Sequence, residues 1–76
     1  MEINEFIDLF ADQFDDADRS LFKPETVFHE LDGYSSLIAL SIILMVDEEF
    51  GVSIDAKDMS SAVTIQDLFN TVQSKQ

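Results

Sequence analysis

Gly33-Tyr34-Ser35-Ser36-Leu37 runs directly into Ile38-Ala39-Leu40-Ser41-Ile42-Ile43-Leu44-Met45-Val46, and the apolar run closes on Asp47-Glu48-Glu49-Phe50-Gly51. This segment decides the fold. It lacks the period-two alternation of a half-buried strand, and at about 15 residues it is longer than a typical strand. It also falls short of the ~20 apolar residues that cross a bilayer. A helix remains, opened by Ser35 or Ser36 as N-cap and stopped by Gly51 as the C-terminal glycine. One serine of the pair therefore stands at the positive end of a helix. Free backbone N–H groups and the helix dipole favour an attached anion there.

On a helical wheel, Ala39, Ile42, Ile43, Val46 and Phe50 share one face, which is the expected inward face. Leu37, Leu40, Ser41, Leu44, Asp47 and Glu48 share roughly the opposite one. A helix apolar on both faces normally needs cover on both. A chain of 76 residues can hardly supply it, so the leucine face is a candidate docking surface.

Composition narrows the classes. The length allows one small domain, residues 1–76, and the 46% hydrophobic content with seven Phe provides a core rather than a disordered acidic tail. The chain has no Cys, which removes disulfides, thiolate metal sites and thiol nucleophiles. The acidic start, Met1-Glu2-Ile3-Asn4-Glu5, lacks the basic region of a signal peptide, so a cytoplasmic protein is expected. Sixteen acidic against four basic residues give a net charge of -12. Nucleic acid and anionic membranes are poor partners for that charge, and basic protein surfaces are the natural ones.

Ahead of the central segment, Ile3, Phe6, Ile7, Phe10 and Phe14 recur at helical spacing and predict a first helix over Asn4 to Asp15. Asp15 to Glu30 reads as a long connection, broken by Asp16, Asp18, Ser20 and Pro24. Phe22, Val27, Phe28 and Leu31 should pin it to the core. So long a loop implies a function or a short helical turn of its own. Beyond Gly51, Val52-Ser53-Ile54 is an extended link, and Asp55 can cap a short helix over Ala56 to Ser60 with Met59 and Ala62 inward. Thr64-Ile65-Gln66-Asp67 has the form of a capping box that opens a last helix, with Ile65, Leu68, Phe69 and Val72 on its core face. Residues Gln73 to Gln76 should fray. The expected architecture is all-α: a small four-helix bundle with three longer helices and one short one.

Catalytic chemistry is thin. A calcium loop begun at Asp16 puts Leu21 where a glycine is required and Val27 where a bidentate acid is required, so the register fails. His29 is the only histidine. A Ser36–His29–Asp32 arrangement lacks both a nucleophile elbow and an oxyanion loop. His29 reads better as a surface or half-buried loop residue, and Met45 and Met59 as core or groove lining. No metal site and no enzyme activity are expected.

Leu31-Asp32-Gly33-Tyr34-Ser35-Ser36-Leu37, then Asp47-Glu48-Glu49-Phe50-Gly51-Val52-Ser53-Ile54, then Thr64-Ile65-Gln66-Asp67-Leu68, resembles the acyl carrier proteins and the related peptidyl carrier domains. Those proteins typically show Leu-Gly-x-Asp-Ser-Leu, an apolar helix, Glu-Glu-Glu-Phe-Gly and a final Thr-Val-x-Asp. The interval from Ser36 to Phe50 matches the family's without a gap. The resemblance implies 4'-phosphopantetheine attached covalently to the serine before Leu, which by position is Ser36, and acyl groups held on its thiol. It fits a helix in which Ser35 serves as cap and leaves the Ser36 hydroxyl free. The outward face of the helical wheel gives Leu37, Leu40, Leu44, Asp47 and Glu48 as the partner-binding face, and Ile42, Ile54, Met59 and Ala62 are the expected interior for a carried chain. The implied partners are a phosphopantetheinyl transferase and acyl-loading or acyl-processing enzymes with basic docking surfaces, met by a monomer. Two departures stand out. Ser35 replaces the family's Asp, and Ser41 stands where many carriers have Glu; the pathway stays open among fatty acid, polyketide and specialised biosynthesis, with both departures counting against a generic fatty-acid role. The competing reading is an acidic helical module that binds basic proteins without any prosthetic group.

Overall fold

A computed structural model describes residues 2–15 and 17–76. The expectations placed on Met1 and Asp16 lie outside the described residues. Four α-helices follow one another: α1 (Ile3–Ala11), α2 (Ser36–Phe50), α3 (Ala56–Ser61) and α4 (Ile65–Ser74). Helix α1 packs on α2 and α4, and the short α3 spans α2 and α4. This is the expected all-α bundle of three longer helices and one short one.

Helix α1 buries Phe6, Ile7 and Phe10 completely. Each such side chain contributes about 1.5–3 kcal/mol. The helix stops at Ala11, four residues before the expected Asp15. The chain then tightens, with Gln13 N–H donating to the Phe10 carbonyl and Phe14 N–H to that of Ala11. These three-residue steps swing Phe14 inward, where it is 7% exposed and packs against Phe22 with ring centroids 5.0 Å apart. The apolar spacing thus reported burial correctly while the backbone had already left the α-helix.

The long connection contains two single 3₁₀ turns, Arg19–Leu21 and Phe28–Glu30. Phe22 and Phe28 are buried as expected, while Val27 and Leu31 are only half-buried. Val27 instead forms an isolated antiparallel bridge with Thr64. The loop has a structural task that sequence did not announce. Ile65 N–H donates to the Thr26 carbonyl and Gln66 N–H to the Pro24 carbonyl, so the loop satisfies orphan donors at the start of α4. Arg19 clamps the loop to α1 through Asp8 at 2.7 Å and closes onto the Phe22 carbonyl at 2.8 Å.

Helix α2 starts on Ser35, an extended N-cap, and ends at Gly51, whose φ of 66° is the left-handed conformation glycine adopts freely. Ile42, Met45 and Val46 are buried, whereas Ala39, Ile43 and Phe50 are half-buried. The inward stripe is thus turned toward Met45 relative to the wheel. Ala39 and Ile43 border an open cleft beside short α3 and so keep part of their surface.

Capping boxes open both final helices. Asp55 accepts from Asp58 N–H and Asp58 from Asp55 N–H; Thr64 and Asp67 do the same. Helix α3 runs one residue past the expected Ser60, with Met59 and Ala62 buried. Helix α4 continues to Ser74 rather than fraying at Gln73, and Lys75 just beyond it pairs with Asp58 at 3.6 Å. No helix among the described residues is long and apolar enough to cross a membrane.

Candidate functional site

The two adjacent serines at the start of α2 do different work. The Ser35 hydroxyl accepts from Ile38 N–H at 3.3 Å and caps the helix. Ser36 is the first helical residue, is exposed, and its hydroxyl has no hydrogen-bond partner among the described residues. The backbone N–H groups of Ser36 and Leu37 belong to the helix's first turn and have no acceptor within the helix. No acidic side chain lies in that turn. An anion on the Ser36 Oγ would meet unopposed N–H donors and the positive end of a 15-residue helix.

From Ser36 a cleft of about 320 Å³ opens between α2 and α3. Ala39, Leu40 and Ile43 of α2 form one wall, and Ala56, Met59 and Ser60 of α3 the other. His29 and Tyr34 complete the lining of the cleft. His29 Nε2 lies 3.1 Å from the Met59 carbonyl and 2.9 Å from the Ala62 carbonyl. Both partners are acceptors, so this nitrogen donates, and in the neutral ring Nδ1 is left as an acceptor. The ring stacks on Phe28 at 4.3 Å and meets the edge of Tyr34 at 5.2 Å. His29 is thus a strut between the second 3₁₀ turn and the C-terminal end of α3. Burial raises the Tyr34 phenol above its ordinary value.

Ser36 and His29 therefore share a cleft, but Asp32 lines a different one, beside Leu21, Phe22 and Leu31. A hydrolytic triad would set its acid against one histidine nitrogen, but Nε2 is held by backbone carbonyls and Asp32 lies in the other cleft. Leu37, Leu40 and Leu44 are 72%, 51% and 53% exposed, and Asp47 and Glu48 are exposed beyond them. The face is split. Leu40 belongs to the Ser36 cleft, whereas Leu44 and Glu48 border a second groove with Leu9 and Gln13 of the α1 region. Ile42, Ile54, Met59 and Ala62 are all buried, and of these Met59 lines the cleft.

Sequence reasoning missed Tyr34, Ala56 and Ser60 as cleft residues and the strut role of His29. Nothing periodic marks His29, because its partners are backbone carbonyls 30 and 33 residues away.

Comparison with known proteins agrees with this geometry. Residues 4–72 match the profile of the family described as phosphopantetheine attachment site. The acyl carrier protein of Nitratidesulfovibrio vulgaris strain DP4 is 39% identical over 54 residues, 71% of this chain and 71% of that protein. That of strain Miyazaki F is 37% identical over the same span and coverage.

Proposed function

The chain belongs to the phosphopantetheine-attachment family that includes the acyl carrier proteins, and from that membership we propose that Ser36 is its attachment residue. Proteins of this family hold 4'-phosphopantetheine covalently and act as carriers, not catalysts. One observation carries the choice of serine. Ser35 spends its hydroxyl on the helix cap, and Ser36, one step into the helix, keeps its hydroxyl exposed and unbonded. The residues fit the group: a phosphodiester on Ser36 would lie at the N–H-rich end of α2 with no neighbouring carboxylate in that turn. When bound, the group supplies a terminal thiol that holds acyl chains as thioesters.

In this reading Leu37, Leu40 and Leu44 give partner enzymes an apolar contact along α2, and Asp47 and Glu48 orient basic residues around a partner's entrance. The phosphopantetheinyl transferase and the enzymes that load and process cargo are the partners. Ser41, half-buried beside Leu44, leaves this face less acidic than in many carriers, which favours a dedicated pathway. The competing reading, an acidic interaction module without a prosthetic group, is not favoured by a family profile that spans nearly the whole chain. The test is intact mass after reaction with coenzyme A and a phosphopantetheinyl transferase. Wild type and Ser35→Ala should each gain one phosphopantetheine, and Ser36→Ala none. A gain in Ser36→Ala that vanishes in Ser35→Ala would assign the wrong serine.

A further inference from the structure

The lining of the cleft beside Ser36 is apolar at Ala39, Leu40, Ile43 and Met59 and polar at His29 and Tyr34. On those last two residues, two hydrogen-bonding groups are left over. The Tyr34 hydroxyl has no partner among the described residues, although the ring is half-buried against Phe28 and His29. His29 commits Nε2 to Met59 and Ala62, so in the neutral ring Nδ1 remains an open acceptor. Ser60, on the opposite wall, already donates to the Lys57 carbonyl and can only accept. The cleft therefore presents a phenol that can donate beside groups that can only accept.

A plain alkyl chain entering here would displace water from these groups and return nothing to them, and unpaired polar groups are costly. A hydroxyl donates and accepts, so it matches both kinds of group. Sites that hydrogen-bond a ligand hydroxyl discriminate against the analogue lacking it far better than apolar sites measure chain length. The volume of about 320 Å³ lies at the lower end for small-molecule sites, which suits a short chain. We propose that His29 and Tyr34 make this cleft selective for short acyl cargo bearing a hydroxyl group over the unsubstituted chain of the same length. The proposal rests on Ser36 as the attachment residue, because only cargo tethered there is delivered to this cleft.

The experiment loads wild type and Tyr34→Phe with butanoyl, 3-hydroxybutanoyl and 4-hydroxybutanoyl groups from the matching coenzyme A thioesters. Intact mass verifies one cargo per chain. Cleavage of each thioester by hydroxylamine is timed and divided by the rate for the same acyl group on free pantetheine, which removes intrinsic reactivity. The Met59 methyl resonance is followed in parallel. At least one hydroxylated chain should be protected roughly fivefold more than butanoyl, the size of one net hydrogen bond. It should also shift the Met59 methyl, and Tyr34→Phe, which keeps the ring packing, should erase the advantage. Equal or better protection of butanoyl in wild type, or an advantage that survives in Tyr34→Phe, overturns the proposal while the Ser36 assignment stands. A chain that gains no mass overturns both.

Discussion

In the proposed assignment two hydroxyls one residue apart divide helix capping from modification, and substitutions at each should split accordingly. Ser35→Ala removes the acceptor for Ile38 N–H, a bond already long at 3.3 Å. The loss should sit toward the lower end of the ~0.5–2 kcal/mol span for N-caps. It lowers the melting temperature and leaves attachment intact. Ser36→Ala alters an exposed first-turn residue and should change stability by less than about 0.5 kcal/mol while abolishing attachment. Thermal melts beside intact masses check both, and a large stability loss in Ser36→Ala would mean that its hydroxyl has a structural partner. At this scale a serine cap ahead of α2 was legible, because a serine before an apolar run that ends at Gly51 has a physical meaning in sequence, whereas Ser36 as attachment residue is a proposal that rests on the family resemblance. His29 was not. Its ring is held by the carbonyls of Met59 and Ala62, and any residue type can supply a carbonyl there.

Along α2 the two faces carry different loads. Ile42 is fully buried, so Ile42→Ala should cost ~2–5 kcal/mol. Leu44 is 53% exposed, so Leu44→Ala should cost well under ~1 kcal/mol and instead slow transfer by partner enzymes. If Leu44→Ala unfolds the domain while Ile42→Ala does not, the faces are inverted. Asp47→Lys with Glu48→Lys should slow loading and flatten its salt dependence, since rim charges act mainly on association. Helices α3 and α4 give a pH prediction. Asp58 N–H holds the Asp55 carboxyl below its ordinary 3.8, and Thr64 and Val63 N–H do so for Asp67. A folded value lowered in this way stabilises above the unfolded value and is lost as pH falls through the folded one, so the loss belongs below about pH 3.8. Asp55→Asn with Asp67→Asn keeps acceptors that do not titrate, and should flatten the acid limb of melting temperature against pH. Identical acid limbs would remove the caps from the explanation. The starts of α2, α3 and α4 and the end of α2 were readable from Ser35, Asp55, Thr64 and Gly51, whereas the end of α1 was not. Phe14 keeps the helical spacing although tighter bonds have replaced the helix.

The whole molecule carries a net charge of -12, and among the described residues two of its four basic side chains form ion pairs, Arg19 with Asp8 and Lys75 with Asp58. Such pairs contribute ~0–1 kcal/mol each and weaken in salt. Unscreened repulsion among the acids acts the other way and involves many more groups. Added salt should therefore stabilise the protein, and each ~1 kcal/mol of relieved repulsion raises the melting temperature by roughly 4–8 °C for a chain of this size. A melting temperature unchanged across a salt series would mean the acids are already dispersed enough not to repel. The bundle itself was legible at this scale from periodicity and caps. The cleft was not, since it arises because α3 is too short to cover Ala39 and Ile43, a matter of packing rather than pattern. The carrier reading depends most directly on where the prosthetic group sits. Fragmentation of the peptide spanning Gly33 to Phe50, after modification of the wild-type protein, should place a single phosphopantetheine on Ser36; its appearance on Ser35, or an unmodified peptide under conditions that convert another carrier protein, would contradict it.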